Sequence, residues 1–471
     1  MHVLKKLNLF CNILVFIILA SIGNVIAQSS IEDSTLGSIE SIGNDMIKLL
    51  DRLSFGELDP TQRLEISPIL DNAITAVDNS PAFQETRAKK TYLVTVKNEL
   101  DTAFNPTVVA DGGIGRRSFE STASDGSTVR TTGNFFEQSI TGQKMLYDFG
   151  ANDLQKRTAQ YDILAVDSQI KNIQSELLLE ALEAFYEVQR SLLQSRLARE
   201  NLQARKTFVN FIRERNSLGA SSSADVVRAE SRVAEALDLL SSSLRTLSEA
   251  QARYRQYYNS EAEPYILPTE INVEDLELFD VEKYAIQHPL FIEAEFQIES
   301  ILSQIETLKA QKYGQIVAQG TISNTQNPGQ NNFNNDISVG LNFQTEIYSG
   351  GLHESKLEQA KARLLQAELN RDSIRVRIIK ELREKFATYE GELSAVDARL
   401  LVLKGSKETY SISKELYAFS RISLFEVLSS QEELFNSGRQ LIDAIINRAI
   451  SKYRLSHATQ TLLDKVNDGR T

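Results

Sequence analysis

The sequence predicts a mainly α-helical chain that carries four β-strands and is built as an internal duplication. Three observations predict it. From Ala151 to Leu218, and again from about Leu352 to Phe419, good helix formers run on without a proline, the first stretch also without a glycine. Ahead of each stretch, apolar residues alternate with polar ones at the two-residue period of a half-buried strand. Finally, "MLYDFGANDLQKRTAQ" at Met145 returns as "EIYSGGLHESKLEQAK" at Glu346, with Gly150 and Gly351 aligned 201 positions apart.

Residues 1–27 read as a secretory signal peptide. Lys5 and Lys6 precede an apolar stretch from Leu7 to Ala20, and Val25-Ile26-Ala27 supplies the cleavage residues. The alternative is an uncleaved anchor helix. Cys11, the single cysteine, lies inside the apolar stretch, so a mature chain from Gln28 has neither a disulfide nor a thiolate metal site. Residues 28–68 form an acidic, serine-rich N-terminal extension, flexible or helical, and 69–106 the leading helices of the first repeat.

The first hairpin is expected over 107–147. Val108, Ala110, Gly112 and Ile114 share one face, a Ser/Thr-rich loop follows, and the return strand runs from Phe135 to Tyr147. Its alternation is imperfect, because Gln138 and Lys144 fall on the face that should be apolar. Residues 148–262 hold the long helix, a turn and a return helix from Ala224 to about Tyr258. Ile163, Val166, Ile170, Ile173 and Leu177 recur at coiled-coil spacing, and such a helix would reach about 100 Å.

Residues 263–314 are a linker and the second set of leading helices, and 315–348 the second hairpin. There Ile316, Ala318, Gly320 and Ile322 face Ile337, Val339, Leu341, Phe343 and Ile347 across the polar loop "NTQNPGQNNFNN". Residues 349–463 repeat the long helix, turn and return helix, with Gly391 and Gly405 as points where the helix can bend. Residues 464–471 are a tail. "NSPAF" at Asn79 matches "QHPLF" at Gln287 at an offset of 208, against 201 after the hairpins. The seven-residue difference is expected in the hairpin loop.

Composition excludes several function classes. The formal net charge is −12, and removing the leader takes away two more lysines, which argues against nucleic-acid binding. The histidines, His2, His288, His353 and His457, are scattered, and neither a metalloprotease helix motif nor a phosphate-binding glycine loop occurs. We therefore expect no enzyme, no cofactor and no metal. Downstream of the leader no segment approaches the ~20 apolar residues of a spanning helix. Entry into a membrane must then be by strands, and four strands cannot close a sheet, so chains must combine.

With these elements placed, the sequence resembles the TolC-like outer-membrane channel family from about Leu70 to Leu463. "NSPAFQETRAKKTYLVTVKNELDTAFNP" is similar to the family's opening helix, and "LYDFG" and "IYSGG" to its strand-to-helix junction. "RERNSLGASSSADVVRAESRV" and "YAFSRISLFEVLSSQEEL" resemble its two tip turns. Departures are local: Met145 and Glu346 replace the junction proline, and Ser420 stands where Gly219 keeps the tip glycine. The resemblance implies a bacterial outer-membrane protein with a long periplasmic α-helical barrel continuous with a β-barrel, four strands per chain, completed by a homotrimer.

The same resemblance implies the site residues. Asp225 and Glu426, equivalent at the 201 offset, would ring the channel entrance with carboxylates, helped by Tyr417 and Arg421 as a gate and by Ser429 at a weaker second position. Capping of the return helix by Asp225, with Ser221, Ser222 or Ser223, is the competing reading. Gly219 and Ser420 mark the tip turns where an adaptor docks, Gly150 and Gly351 the strand–helix junctions, and Ile337, Val339, Leu341 and Phe343 the lipid-facing strand. A soluble hairpin packed on a helix would show the same alternation.

The expected function is the passive exit duct of a tripartite export system. Its partners would be a periplasmic adaptor, an inner-membrane transporter, outer-membrane lipid and the exported protein or small molecules. "IRERNSLGASSSADVVRAESRV" and "ALEAFYEVQR" look closest to the type I protein secretion branch. Drug efflux is the alternative within the fold, and an exported coiled-coil stalk the alternative of another class.

Overall fold

The structure, a computed structural model, describes Ile39 and residues 41–54, 66–122, 126–262, 281–328 and 332–464. The leader, most of the extension, the linker at 263–280 and the tail beyond Asp464 lie outside the described residues. In chain order the elements are α1 (Asn44–Ser54), α2 (Ile66–Asp78), α3 (Pro81–Asp101), β1 (Thr107–Thr122), β2 (Thr128–Tyr147), α4 (Ala151–Ser217) and α5 (Ser223–Tyr258). Then follow α6 (Val281–Gln287), α7 (Pro289–Gln311), β3 (Gln315–Gln326), β4 (Asn334–Gln344), α8 (Leu352–Ala418) and α9 (Leu424–Ala458). Both α4 and α8 are unbroken over 67 residues. Gly391 and Gly405 sit inside α8 without interrupting it, since neither has a neighbour that would force a bend.

The chain divides into two compact units. One comprises α3, the four strands, α6, α7 and the starts of α4 and α8. Its strands form one antiparallel sheet in the order β1-β2-β3-β4, leaving β1 and β4 as edges. Its helices are joined by polar contacts: Lys90 pairs with Asp167 at 2.7 Å, Ser300 donates to Asp162 at 2.7 Å, and Arg371 meets Glu295 at 3.0 Å.

The other unit comprises α1, α2, α5, α9 and the remainders of α4 and α8. Its apolar core joins Leu193, Leu197, Phe208 and Ile212 of α4, Leu403 and Tyr410 of α8, and Leu434, Phe435, Leu441 and Ile442 of α9. Polar bonds cross the α4–α9 seam, as Arg190 donates to Asn447 at 2.6 Å, Gln194 to Asp443 at 2.7 Å, and the Tyr186 and Tyr453 hydroxyls meet at 3.0 Å. Burial of Tyr453 raises its phenol to about 12, so its hydroxyl keeps a proton to share in this bond.

Three expectations need correction. The Ser/Thr-rich stretch after Ile114 is strand rather than loop: β1 and β2 pair as far as Thr122 with Thr128. Both faces there are polar, so the alternation that marks a strand is missing, while threonine itself suits one. The extra length of the first hairpin consequently lies in its strands, not its loop, which spans only 123–127 against 327–333 in the second. Ile347 lies beyond β4, which ends at Gln344. Within the extension the helical alternative holds at α1, and Ile39, Ile42, Met46 and Leu50 are fully buried in the core of the helical unit.

Candidate functional site: an exposed apolar sheet face and two helical turns

In the sheet unit, register places one apolar face across all four strands. Ile337 pairs with Ile322, which pairs with Ile140, which pairs with Ala110; Val339, Gly320, Gly142 and Val108 form the next row. Ile337, Val339, Leu341 and Phe343 are 74, 87, 70 and 59% exposed, more than a core face would leave. The opposite face is polar: Thr141 bonds Thr321, Asn342 donates to Gln319 at 2.9 Å, and Arg117 pairs with Glu137 at 3.3 Å.

Aromatic residues bound the apolar face. At one end Phe136 meets Phe333 edge-on at 6.0 Å. At the other, Phe149 gathers Tyr147 at 4.9 Å, Tyr313 at 5.9 Å and Phe343 at 6.4 Å. Phe333 to Phe343 is about 33 Å of strand, or about 25 Å along the normal at the usual barrel tilt, the height of an outer-membrane apolar band. Lys144 lies on this face one row from the Phe343 end, where its stem reaches the interface. Gln138 is in a polar row with Asn324 and Asn335, of which the last two bond at 2.6 Å.

The strand–helix junctions use the same device twice. Asp148 accepts from Gly150 N at 3.0 Å and from Asn152 N, satisfying the first turn of α4. Ser349, 201 positions on, accepts from His353 N at 3.2 Å. Gly150 and Gly351 have φ of +85° and +88°, and their predecessors Phe149 and Gly350 are also left-handed at +56° and +63°. For Phe149 that conformation is strained, and the aromatic cluster holds it.

In the helical unit the α4–α5 turn places Gly219 at φ +76°, with Ala220 N donating to Arg215 O at 2.8 Å. Ser222 and Asp225 then form a reciprocal capping box at the start of α5. The Ser222 hydroxyl donates to the Asp225 carboxylate at 2.8 Å, and this bond is the main reason its pKa is lowered. The α8–α9 turn repeats the path: Ser420 has φ +54°, Arg421 N donates to Leu416 O at 2.8 Å, and Ser423 caps α9.

Of the residues singled out from sequence, Tyr417 is brought to Asp225. Its buried phenol hydrogen-bonds Ser221 and feels the Asp225 charge, with burial raising its pKa. Arg421 instead lies over the Phe419 ring at 5.8 Å. Glu426 is exposed in the first turn of α9, and Ser429 is half-buried one turn on. Sequence reasoning missed Arg215, which is buried and donates to Ser420 Oγ at 2.9 Å, Ala418 O at 3.3 Å and Tyr417 O at 3.5 Å. The histidines have structural places: His288 caps α7, and half-buried His457 shares a 2.8 Å bond with Ser175. No metal-binding cluster occurs among the described residues, and none of their helices is long and apolar enough to cross a membrane.

This arrangement matches known proteins. Residues 281–460 fit the family model of the outer membrane efflux protein. The outer membrane protein TolC of Escherichia coli is 25% identical over 145 residues, 31% of this chain and 28% of that protein. The outer membrane efflux protein BepC of Brucella suis is 21% identical over 366 residues, 76% and 77% of the two chains. The solved outer-membrane channel OprN superposes with a TM-score of 0.73 at 14% identity, covering 86% of this chain and 94% of that one. These matches place residues 281–460 with the outer membrane efflux proteins and give the chain the fold of the TolC-like channels. TolC and BepC are outer membrane proteins, and OprN is an outer-membrane channel. The four-stranded sheet and the paired long helices are the TolC-like fold.

Proposed function

We propose that three copies of this TolC-like chain close a twelve-stranded barrel and form the passive exit duct of a tripartite export system. The observation that carries this reading is the sheet, whose apolar face is exposed from edge to edge while the outer edges of β1 and β4 have no partner strand among the described residues. Lipid tolerates such edges only when they are closed. An inner-membrane transporter and a periplasmic adaptor deliver the substrate, the adaptor docking at the turns that hold Gly219 and Ser420. The exported class is protein, by type I secretion; the support is the similarity of the α4–α5 turn sequence to that branch.

In the trimer Asp225 and Glu426 ring the entrance with carboxylates that favour cations. Capping and lumen roles coexist at Asp225, because the capping bonds leave one carboxylate oxygen facing only Arg228, at 3.6 Å. Purified protein should need detergent, run as a trimer and give steps of conductance in planar bilayers. A monomer soluble without detergent would mean a stalk instead. Cells lacking the chain should lose a secreted protein. Drug sensitivity with an unchanged set of secreted proteins would make the exported class small molecules. If Asp225→Ala with Glu426→Ala leaves conductance and its block by multivalent cations unchanged, the ring has no role.

A further inference from the structure

Helix α1 precedes the part of the chain that resembles the channel family, yet it is set deeply into the helical unit. Ile39, Ile42, Met46 and Leu50 recur at three- and four-residue steps and are all fully buried. Leu50 fills the gap between α4 and α9: a Cβ added to Gly438 would lie 2.5 Å from Leu50 Cδ2 and 3.3 Å from Leu197 Cδ2. Gly43, at φ +81°, lies so close to α8 that an added Cβ would stand 3.1 Å from Tyr410 Oη. On α8, buried Lys414 donates from Nζ to the Ile42 carbonyl at 2.9 Å, and Lys407 pairs with Asp51.

The helix and the residues just ahead of it, Ile39 and 41–54, thus engage α4, α8 and α9 at once. Those three helices lead into the turns that hold Tyr417, Asp225 and Ser420. Close-packed interiors shift between discrete arrangements rather than deforming smoothly. If α8 and α9 move against α4, Gly438 and Leu197 no longer share Leu50, and Lys414 loses the Ile42 carbonyl in a place that offers little water. We infer that α1 is a strap built into the chain: docked across α4, α8 and α9 it holds both turns in their resting, closed register, and the duct opens when α1 lifts. Closed is the resting sense because an outer-membrane duct that rested open would leak. The inference rests on the duct reading.

The test is a covalent lock. Leu50→Cys with Gly438→Cys, in a mature chain free of other cysteines, would bridge α1 to α9 on oxidation. The reduced protein should conduct in planar bilayers as the wild type does. The oxidised protein should show an open probability lower by about tenfold or more, regained with reductant, as expected when one of two states is made inaccessible. Gly43→Val supplies the opposite sign: a β-branched residue at positive φ against Tyr410 weakens docking and should raise open probability about tenfold. Trimer mobility and far-UV circular dichroism would verify that this variant is folded. Equal open probability for oxidised and reduced lock, or a folded Gly43→Val trimer that gates as wild type, overturns the strap. A wild-type trimer that gives no conductance at all overturns the duct reading, and the strap with it.

Discussion

Arg215 of α4 donates from Nη2 to Ser420 Oγ at 2.9 Å, and from Nη1 to the Ala418 and Tyr417 carbonyls. The first half of the duplication thereby caps the second. At the α4–α5 turn a glycine takes up the left-handed position without cost, whereas Ser420 does so under strain of about 1 kcal/mol. The guanidinium holds that serine, bonds the Ala418 carbonyl at the helix end, and adds to the Ser420 N–H bond at Tyr417 O. Its place is further fixed by the Tyr417 ring, 5.1 Å away. Arg215→Ala should lower stability by about 2–3 kcal/mol in thermal unfolding of the detergent-solubilised protein. Ser420→Gly should change it little, losing one bond and relieving the strain. The two substitutions should be non-additive in a double-mutant cycle.

Asp225 gives a pH dependence of known sign. Hydrogen bonds from Ser222 and Ser221 and the Arg228 charge lower its pKa, so the folded state holds a proton less readily than the unfolded chain. The stability it contributes is present above the unfolded carboxylate range near 4, and is lost as pH falls through the lower folded value. Asp225→Asn should therefore be less stable than wild type at pH 7, by about 1 kcal/mol from the weakened cap. The gap should close on acidification below the folded value. A gap that persists unchanged into acid would show that the carboxylate charge is not what caps α5.

The fold class was legible because its signals are local. A stretch such as Ala151 to Ser217 with no proline or glycine has no place to stop, and the Ile337–Phe343 alternation repeats within seven residues. Arg215 was not legible: within "RERN" on a charge-rich helix it looks like one more solvated side chain, and its acceptors lie some 200 residues away. The burial of α1 was hidden likewise, since its partners Lys414, Tyr410 and Gly438 come from the far end of the chain. The paired Ser/Thr ends of β1 and β2 carried no period at all, because neither face there has to be apolar.

The sheet makes a labelling pattern. Cysteines at Leu341 and Phe343 should react with a membrane-soluble reagent, and cysteines at Asn342 and Gln344 with a water-soluble one. An inverted or uniform pattern would mean that the exposed apolar face does not meet lipid. Val339→Arg, in the middle of the band, should cost about 2–4 kcal/mol and impair trimer insertion, with folding into vesicles as the measurement.

Gly314 offers a sharp steric contrast. It joins α7 to β3 at φ +82°, and a Cβ there would stand only 2.0 Å from the Gln344 carbonyl oxygen, the last residue of β4. Backbone cannot yield as a flexible side chain would, so Gly314→Ala should unpair the β3–β4 end or abolish the folded trimer. Gly142, on the apolar face of the sheet, has nothing within 4 Å of an added Cβ, and Gly142→Ala should be tolerated. Heat-modifiable mobility on a gel separates the two outcomes.

His457 supplies the final prediction. Burial, with Lys385 nearby, lowers its pKa to about 4, below the unfolded value near 6.5. The folded state therefore keeps a neutral imidazole, bonded to Ser175, at pH values where the unfolded chain takes up a proton. Stability from this site is complete above about pH 6.5 and declines as pH falls toward 4, by at most about 3 kcal/mol. His457→Phe removes the titration while keeping an aromatic ring between α4 and α9. Its unfolding midpoint should fall less steeply than that of wild type between pH 6.5 and 4, the window above the Asp225 transition. Parallel curves for the two proteins over that window would mean that His457 is protonated in the folded state as readily as in the unfolded one.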